Sequence, residues 1–193
     1  MRTALLAFML CLHGTSFAID VKDVEPDKRT VLDRYLTAGE AWQMLSGRAH
    51  DTLFIDVRTQ AEVSYVGAPA GMDANVPFML VDFDYFDPKA RRFALHKNPD
   101  FVKRIGERLQ SKGLDRNADI VLICRSGDRT ARAVNALAAA GYTRVWTVID
   151  GFEGDPAGDG ANAGKRTVNG WKNAGLPWSY VLERSQAYVS GEP

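Results

Sequence analysis

A single α/β domain is predicted, with a central parallel sheet and helices on both of its faces. Three observations lead there. Thr52 to Val57, Asp119 to Ile123 and Arg144 to Ile149 are short, largely apolar runs of the kind that strands buried on both faces require. Stretches with helix signals stand between them, and a strand, helix, strand, helix alternation packs most simply as a parallel sheet linked by right-handed crossovers. The 193 residues, 46% hydrophobic and 25% charged, suit one soluble domain with a core of its own.

Charge excludes some classes of partner. Lysine plus arginine equals aspartate plus glutamate at 24 each, so no overall field draws the chain to nucleic acid or to an anionic membrane. Small molecules or other proteins are the expected partners. His50 and His96 are not spaced as metal ligands, and no metal or organic cofactor is called for.

The start of the chain reads as an export signal. Arg2 supplies positive charge, Ala4 to Leu12 is apolar but shorter than the ~20 residues needed to span a bilayer, and Ser16-Phe17-Ala18 offers a cleavage site. Residues 1–18 are therefore expected to be a signal peptide, removed with Cys11, leaving a chain with no membrane attachment. Residues 19–30 follow as a polar leader, 31–178 as the domain and 179–193 as a loosely held tail. Cleavage leaves Cys124 as the lone cysteine of an exported protein, periplasmic if the source is bacterial, and a lone cysteine there suggests a free reactive thiol.

Within the domain, Thr37 and Glu40 have capping-box spacing and start a helix through Ala41 to Leu45 that ends near Ser46-Gly47. The strand from Thr52 follows, and it carries Asp56 and Arg58 to the end where open α/β sheets place their crevice. A salt bridge that steadies that end is the expected role of the two. Ala61 to Val66 reads as a short helix, and Gly67 to Pro77 as a loop and strand. Asp82 to Pro88 alternates acidic and aromatic residues and is read as a surface loop that holds its aromatics against the domain, with a lid beside the pocket as the alternative.

Asn98 and Pro99 give a helix start, and Phe101, Ile105 and Leu109 repeat along one face until Gly113. After the strand to Ile123, a tight turn carries Cys124, and Ala131 to Ala140 forms a helix that Gly141 ends. The strand to Ile149 leads into a glycine turn, Asp150 to Gly154. Asp155 to Gly170 is read as a mobile loop; Gly164-Lys165 is not a phosphate loop, since Arg166 follows the lysine and Asp159 stands where glycine is needed.

Chemistry concentrates at Cys124-Arg125-Ser126-Gly127-Asp128-Arg129-Thr130. A cysteine between a strand and a helix faces inward-aimed backbone N–H groups and the positive helix end, and two arginines add full charges, a setting that favours the thiolate. This loop resembles the active-site loop of the rhodanese family of sulfurtransferases, and Phe54-Ile-Asp56-Val-Arg58 resembles the family's early strand motif. The glycine turn at 150–154 and Trp171 to Trp178 add to the likeness, which spans about residues 30 to 178. At Gly67-Ala68-Pro69 the chain departs from the family, lacking the usual histidine.

The resemblance implies a single rhodanese-like domain, with Cys124 as nucleophile, Arg125, Ser126, Gly127, Asp128, Arg129 and Thr130 around the substrate, and Asp56 and Arg58 supporting the loop. The expected activity is transfer of sulfane sulfur from an anionic donor such as thiosulfate to a thiophilic acceptor through a Cys124 persulfide. Two other readings remain. The domain is a sulfur carrier or interaction module that serves an exported acceptor protein, or it is a cysteine phosphatase; against the last, four residues separate Cys124 from Arg129, where the phosphatases resemble a five-residue spacing.

Overall fold

In a computed structural model, residues 19–191 are described, so the expected signal at 1–18 lies outside the described residues. The elements in chain order are β1 (Tyr35–Leu36), α1 (Ala38–Arg48), β2 (Thr52–Asp56), α2 (Gln60–Val66), β3 (Ala68–Pro69), β4 (Ala74–Asn75), β5 (Met79–Asp87), β6 (Arg92–Lys97), α3 (Phe101–Ser111), β7 (Asp119–Ile123), α4 (Asp128–Ala139), β8 (Val145–Val148) and β9 (Trp178–Ser179). Strands β1, β8, β7, β2 and β4 form the central sheet in that order, and every neighbouring pair is parallel. Both β2 and β7 are buried at every position, as strands covered on two faces must be.

Alternation along the strands divides the core in two. Leu53, Ile55, Ile120 and Leu122 face α3 and α4 through Phe101, Ile105, Leu109, Val134 and Leu137. Phe54, Val121 and Ile123 face α1 and α2 through Ala41, Met44, Leu45 and Val63, with Trp171 stacked on Phe54 at 5.5 Å. Helices therefore cover both faces, as the alternation predicts.

Local signals explain the helix starts, with two corrections. Thr37 and Glu40 close the capping box of α1, and Thr59 and Glu62 close a second one at α2. Helix α3, expected from Asn98-Pro99, begins at Phe101 instead. Asn98 is turned inward, where its amide donates to the Pro77 carbonyl and the Tyr188 hydroxyl. Helix α4 begins at Asp128 rather than Ala131, because Gly127 takes a left-handed conformation with φ 99° and turns the chain at once.

Asp82 to Pro88 does not form a surface loop that holds its aromatics against the domain. It is the second half of β5 and its turn, paired antiparallel with β6 in a projecting hairpin. The alternation of charged and aromatic residues is the period-2 pattern of a strand with one polar face. Phe83, Tyr85, Phe86 and Phe93 are exposed on it.

Residues at both ends also belong to the domain. In the leader, Val24, Lys28 and Thr30 are buried, and Lys28 Nζ pairs with Asp155 at 2.9 Å. The expected loose tail docks at the β4 edge. The Asn75 N–H donates to the Gln186 carbonyl, the Gln186 amide donates to Met72 O, and Tyr188 is buried beneath Arg104. Segment 155–170 is a compact loop with a bridge between Pro156 and Arg166. Where the family histidine is absent, Ala68–Pro69 pairs with Trp178–Ser179 instead.

Candidate active site

Strand β7 ends at Ile123 and delivers Cys124 to the crevice end of the sheet. The next residues are shaped by the turn opposite them. Phe152 N–H donates to the Cys124 carbonyl at 2.8 Å, and the Glu153 and Gly154 N–H groups donate to the Arg125 carbonyl at 3.0 and 3.2 Å. With those carbonyls held outward, the loop turns its N–H groups toward the sulfur. Gly127 N–H donates to Cys124 Sγ at 3.2 Å. The N–H groups of Asp128, Arg129 and Thr130 precede the first bond of α4, from Ala131 to the Gly127 carbonyl, and so have no partner inside the helix.

Two glycines make this fit possible. A Cβ on Gly127 would stand 2.2 Å from the Ile149 carbonyl oxygen, and one on Gly151 would stand 2.5 Å from the Arg125 backbone. Beneath the loop, Thr147 Oγ1 donates to Thr130 Oγ1 at 2.5 Å, and Thr130 Oγ1 donates to the Gly127 carbonyl at 2.6 Å. With its proton committed, the Thr130 hydroxyl presents a lone pair to Cys124 Sγ, 3.9 Å away. The sulfur itself is fully buried.

Asp56 and Arg58 form the salt bridge expected of them. Their ion pair closes at 2.6 Å with both side chains fully buried, and Arg58 also donates to the Gly67 carbonyl. The Arg58 guanidinium lies 4.1 Å over the Phe152 ring, and it is Phe152 N–H that holds the Cys124 carbonyl. Support therefore reaches the loop through one intervening ring.

The two loop arginines part company. Arg125 and Arg129 both line a cavity of about 320 Å³, joined by Asp128 of the loop, Arg132 of α4, Glu62 of α2, and Val81, Arg92, Phe93 and Leu95 of the hairpin. Arg129, expected to grip the donor, is clamped by Glu62 in a two-pronged pair at 2.6 and 2.5 Å. Burial would raise the Glu62 carboxyl, yet the Arg129 bonds and charge outweigh it and hold it at about 2. Burial also works against the Arg129 charge, and the same pair raises that guanidinium above its ordinary value. Arg125 is less constrained: its buried Nε has no hydrogen-bond partner among the described residues. Ser126 sits half-buried on the loop crest with its backbone against Gly151, off the cavity wall.

Four arginines and two carboxylates leave the cavity net positive, and Val81, Phe93 and Leu95 form an apolar wall. Sequence reasoning missed Glu62, Arg92, Arg132 and Thr147. Only Glu62 had a local signal, the Thr59 capping box; the others depend on packing between distant segments. Lys165 and Arg166 do not enter the cavity, since they donate to the carbonyls of Ala161 and Gly154.

Comparison with known proteins agrees with this fold. A family model described as rhodanese-like domain matches residues 37–155. Protein RP600 of Rickettsia prowazekii is 31% identical over 133 residues, which cover 68% of this chain and 85% of that one. Thiosulfate sulfurtransferase 18 of Arabidopsis thaliana is 32% identical over 99 residues, 51% of this chain and 62% of that one. Among solved structures, Rv0390 from M. tuberculosis aligns with a TM-score of 0.58 at 29% identity, covering 76% of this chain and 97% of that one.

Proposed function

The chain belongs to the rhodanese-like domain family of sulfurtransferases, and from that premise we propose that it moves sulfane sulfur from an anionic donor such as thiosulfate through a persulfide on Cys124. The observation that carries this reading is the placement of Cys124 Sγ under the Gly127 N–H and the first turn of α4, beside a net positive cavity.

The Cys124 thiolate attacks the outer sulfur of thiosulfate, a new S–S bond forms, and the old one breaks with its electron pair leaving on sulfite. The persulfide anion on Cys124 takes the N–H groups of Gly127, Asp128, Arg129 and Thr130, aimed where its charge develops. Arg125, with an unspent Nε–H, binds the donor's oxygens, while Arg129 contributes charge from a position set by Glu62. A thiophile then attacks the outer sulfur, and the Cys124 thiolate departs. Clamping of Arg129 argues against a phosphatase, in which that arginine would grip the phosphate.

The acceptor is a small thiol or an exported protein, and we place the mature chain outside the cytoplasm on the strength of residues 1–18. Mass spectrometry of the intact protein tests the chemistry. After thiosulfate the wild type gains one sulfur atom and Cys124→Ser gains none, and cyanide discharges the sulfur as thiocyanate. A reduced wild type that gains no sulfur removes thiosulfate as donor. A gain on Cys124→Ser removes the persulfide from Cys124.

A further inference from the structure

A second cavity, of about 360 Å³, lies between α3 and the C-terminal segment and shares no lining residue with the one beside Cys124. Its wall is basic. Arg104 and Arg108 reach it from successive turns of α3 and Arg184 from the segment opposite, and among the described residues Glu107 is the one carboxylate that lines it. That carboxylate is already shared, at 3.0 Å with Arg104 and at 3.6 Å with Lys103. Three guanidiniums against one carboxylate leave two positive charges in excess.

Part of this excess is held inside the fold. Arg104 is buried, and its Nε has no hydrogen-bond partner among the described residues. Arg108 spends its two end nitrogens on neutral groups, the Ser185 carbonyl at 2.8 Å and the Ala187 carbonyl at 3.4 Å. Burial pushes its guanidinium below the ordinary value, and Arg104 and Arg184 push it down further against the pull of Glu107. Like charges gathered at the edge of a low-dielectric interior repel, and a bound anion removes that cost.

The rest of the wall is apolar. Val76, Tyr188 and Val189 line it, and the Tyr188 hydroxyl is engaged with Asn98, which leaves the ring as what this residue offers the cavity. The volume lies within the range of about 300–1,000 Å³ typical of small-molecule sites, and a bare ion fills only part of it.

We propose that this cavity binds a small organic phosphate, its dianion among Arg104, Arg108 and Arg184 and its apolar body against Val76, Tyr188 and Val189. A phosphate ester carries about 1.5 to 2 negative charges at pH 7, which matches the excess of two, whereas a carboxylate or a sulfate ester carries one. Forked guanidiniums suit its oxygens. This goes beyond sulfur transfer and does not depend on it.

Amide NMR of the purified protein, titrated with phenyl phosphate at constant ionic strength, tests the proposal. Saturable shifts are expected at residues 104–111 and 184–189, and phenyl phosphate binds there about fivefold more tightly than inorganic phosphate. Ser111 is exposed and lines the same cavity. Ser111→Asp adds a carboxylate and weakens binding about tenfold, while Ser111→Asn, of the same size but uncharged, stays within about twofold of wild type. Arg184→Gln also weakens binding about tenfold. The same spectra show that each variant is folded. Shifts confined to residues 125–132 place the phosphate in the Cys124 cavity and overturn the proposal. Equal affinity for the bare ion overturns it as well, as does a Ser111→Asp that binds no more weakly than Ser111→Asn.

Discussion

Glu62 decides how much of the cavity's positive charge a substrate meets. Its carboxylate spends itself on Arg129 and also accepts the N–H and hydroxyl of Thr59. In Glu62→Gln the clamp is gone and the cavity gains a net charge; at a distance of several ångströms that is worth about 1 kcal/mol, so KM for thiosulfate falls roughly fivefold in steady-state assays. The same variant is less stable. A carboxyl held at about 2 against an ordinary 4.5 contributes roughly 3 kcal/mol. Because the folded-state value is depressed, that contribution is complete above pH 4.5 and is lost as pH falls toward 2, so urea midpoints of wild type and Glu62→Gln converge in acid. Asp150 has the opposite sign. Burial pushes it up to about 6 from an ordinary 3.8, although it accepts the Ala38 and Gly170 N–H groups. Its contribution is complete below 3.8 and lost as pH rises through 6, and Asp150→Asn removes that decline from the stability profile.

Among the elements, α2 and the 150–154 turn do the positioning. Thr59→Ala breaks a capping box, which costs about 1 kcal/mol, and it also removes two of the bonds that hold Glu62 toward Arg129. Thermal melting and donor KM therefore change together in this variant, whereas Thr37→Ala, at the α1 box, lowers the melting temperature and leaves KM alone. Gly151→Ala is a sharper test of the loop. Its Cβ has no room against the Arg125 backbone at φ 63°, so the loop shifts, and persulfide formation slows by at least tenfold in stopped-flow assays while the α-helical circular dichroism persists. Strands β2, β7 and β8, the α1 cap and the α3 face were legible from periodicity and capping pairs. The true start of α3 was not, because Asn98 is recruited by Pro77 and Tyr188, which are distant in sequence.

For the molecule as a whole, the described ends act as ties. Tyr188, buried and hydrogen-bonded to Asn98, joins the C-terminal segment to the α3 entrance, so Tyr188→Ala costs about 3 kcal/mol in urea unfolding. An unaltered midpoint would return the segment to the status of a loose tail. The hairpin is the other large-scale feature, since it places Val81, Phe93 and Leu95 as an apolar wall opposite the arginines. An inorganic anion uses only the charged side of such a cavity, and an acceptor with an apolar body uses both.

The sequence by itself determined the family, the parallel sheet and the strand-to-helix turn that carries Cys124, because each rests on neighbours a few residues apart: a β-branched run, a glycine turn, a capping pair. Asp56 and Arg58 were legible for the same reason, standing two residues apart. Tertiary structure alone decided that Arg129 answers to Glu62, that Thr147 orients Thr130, that the acidic and aromatic run is a hairpin on the cavity rim, and that Val24, Lys28 and Tyr188, near the ends of the described chain, are buried. Those outcomes are contacts between segments far apart in the chain, and which charge or ring comes to face which is set by how the layers pack, a quantity no local pattern carries.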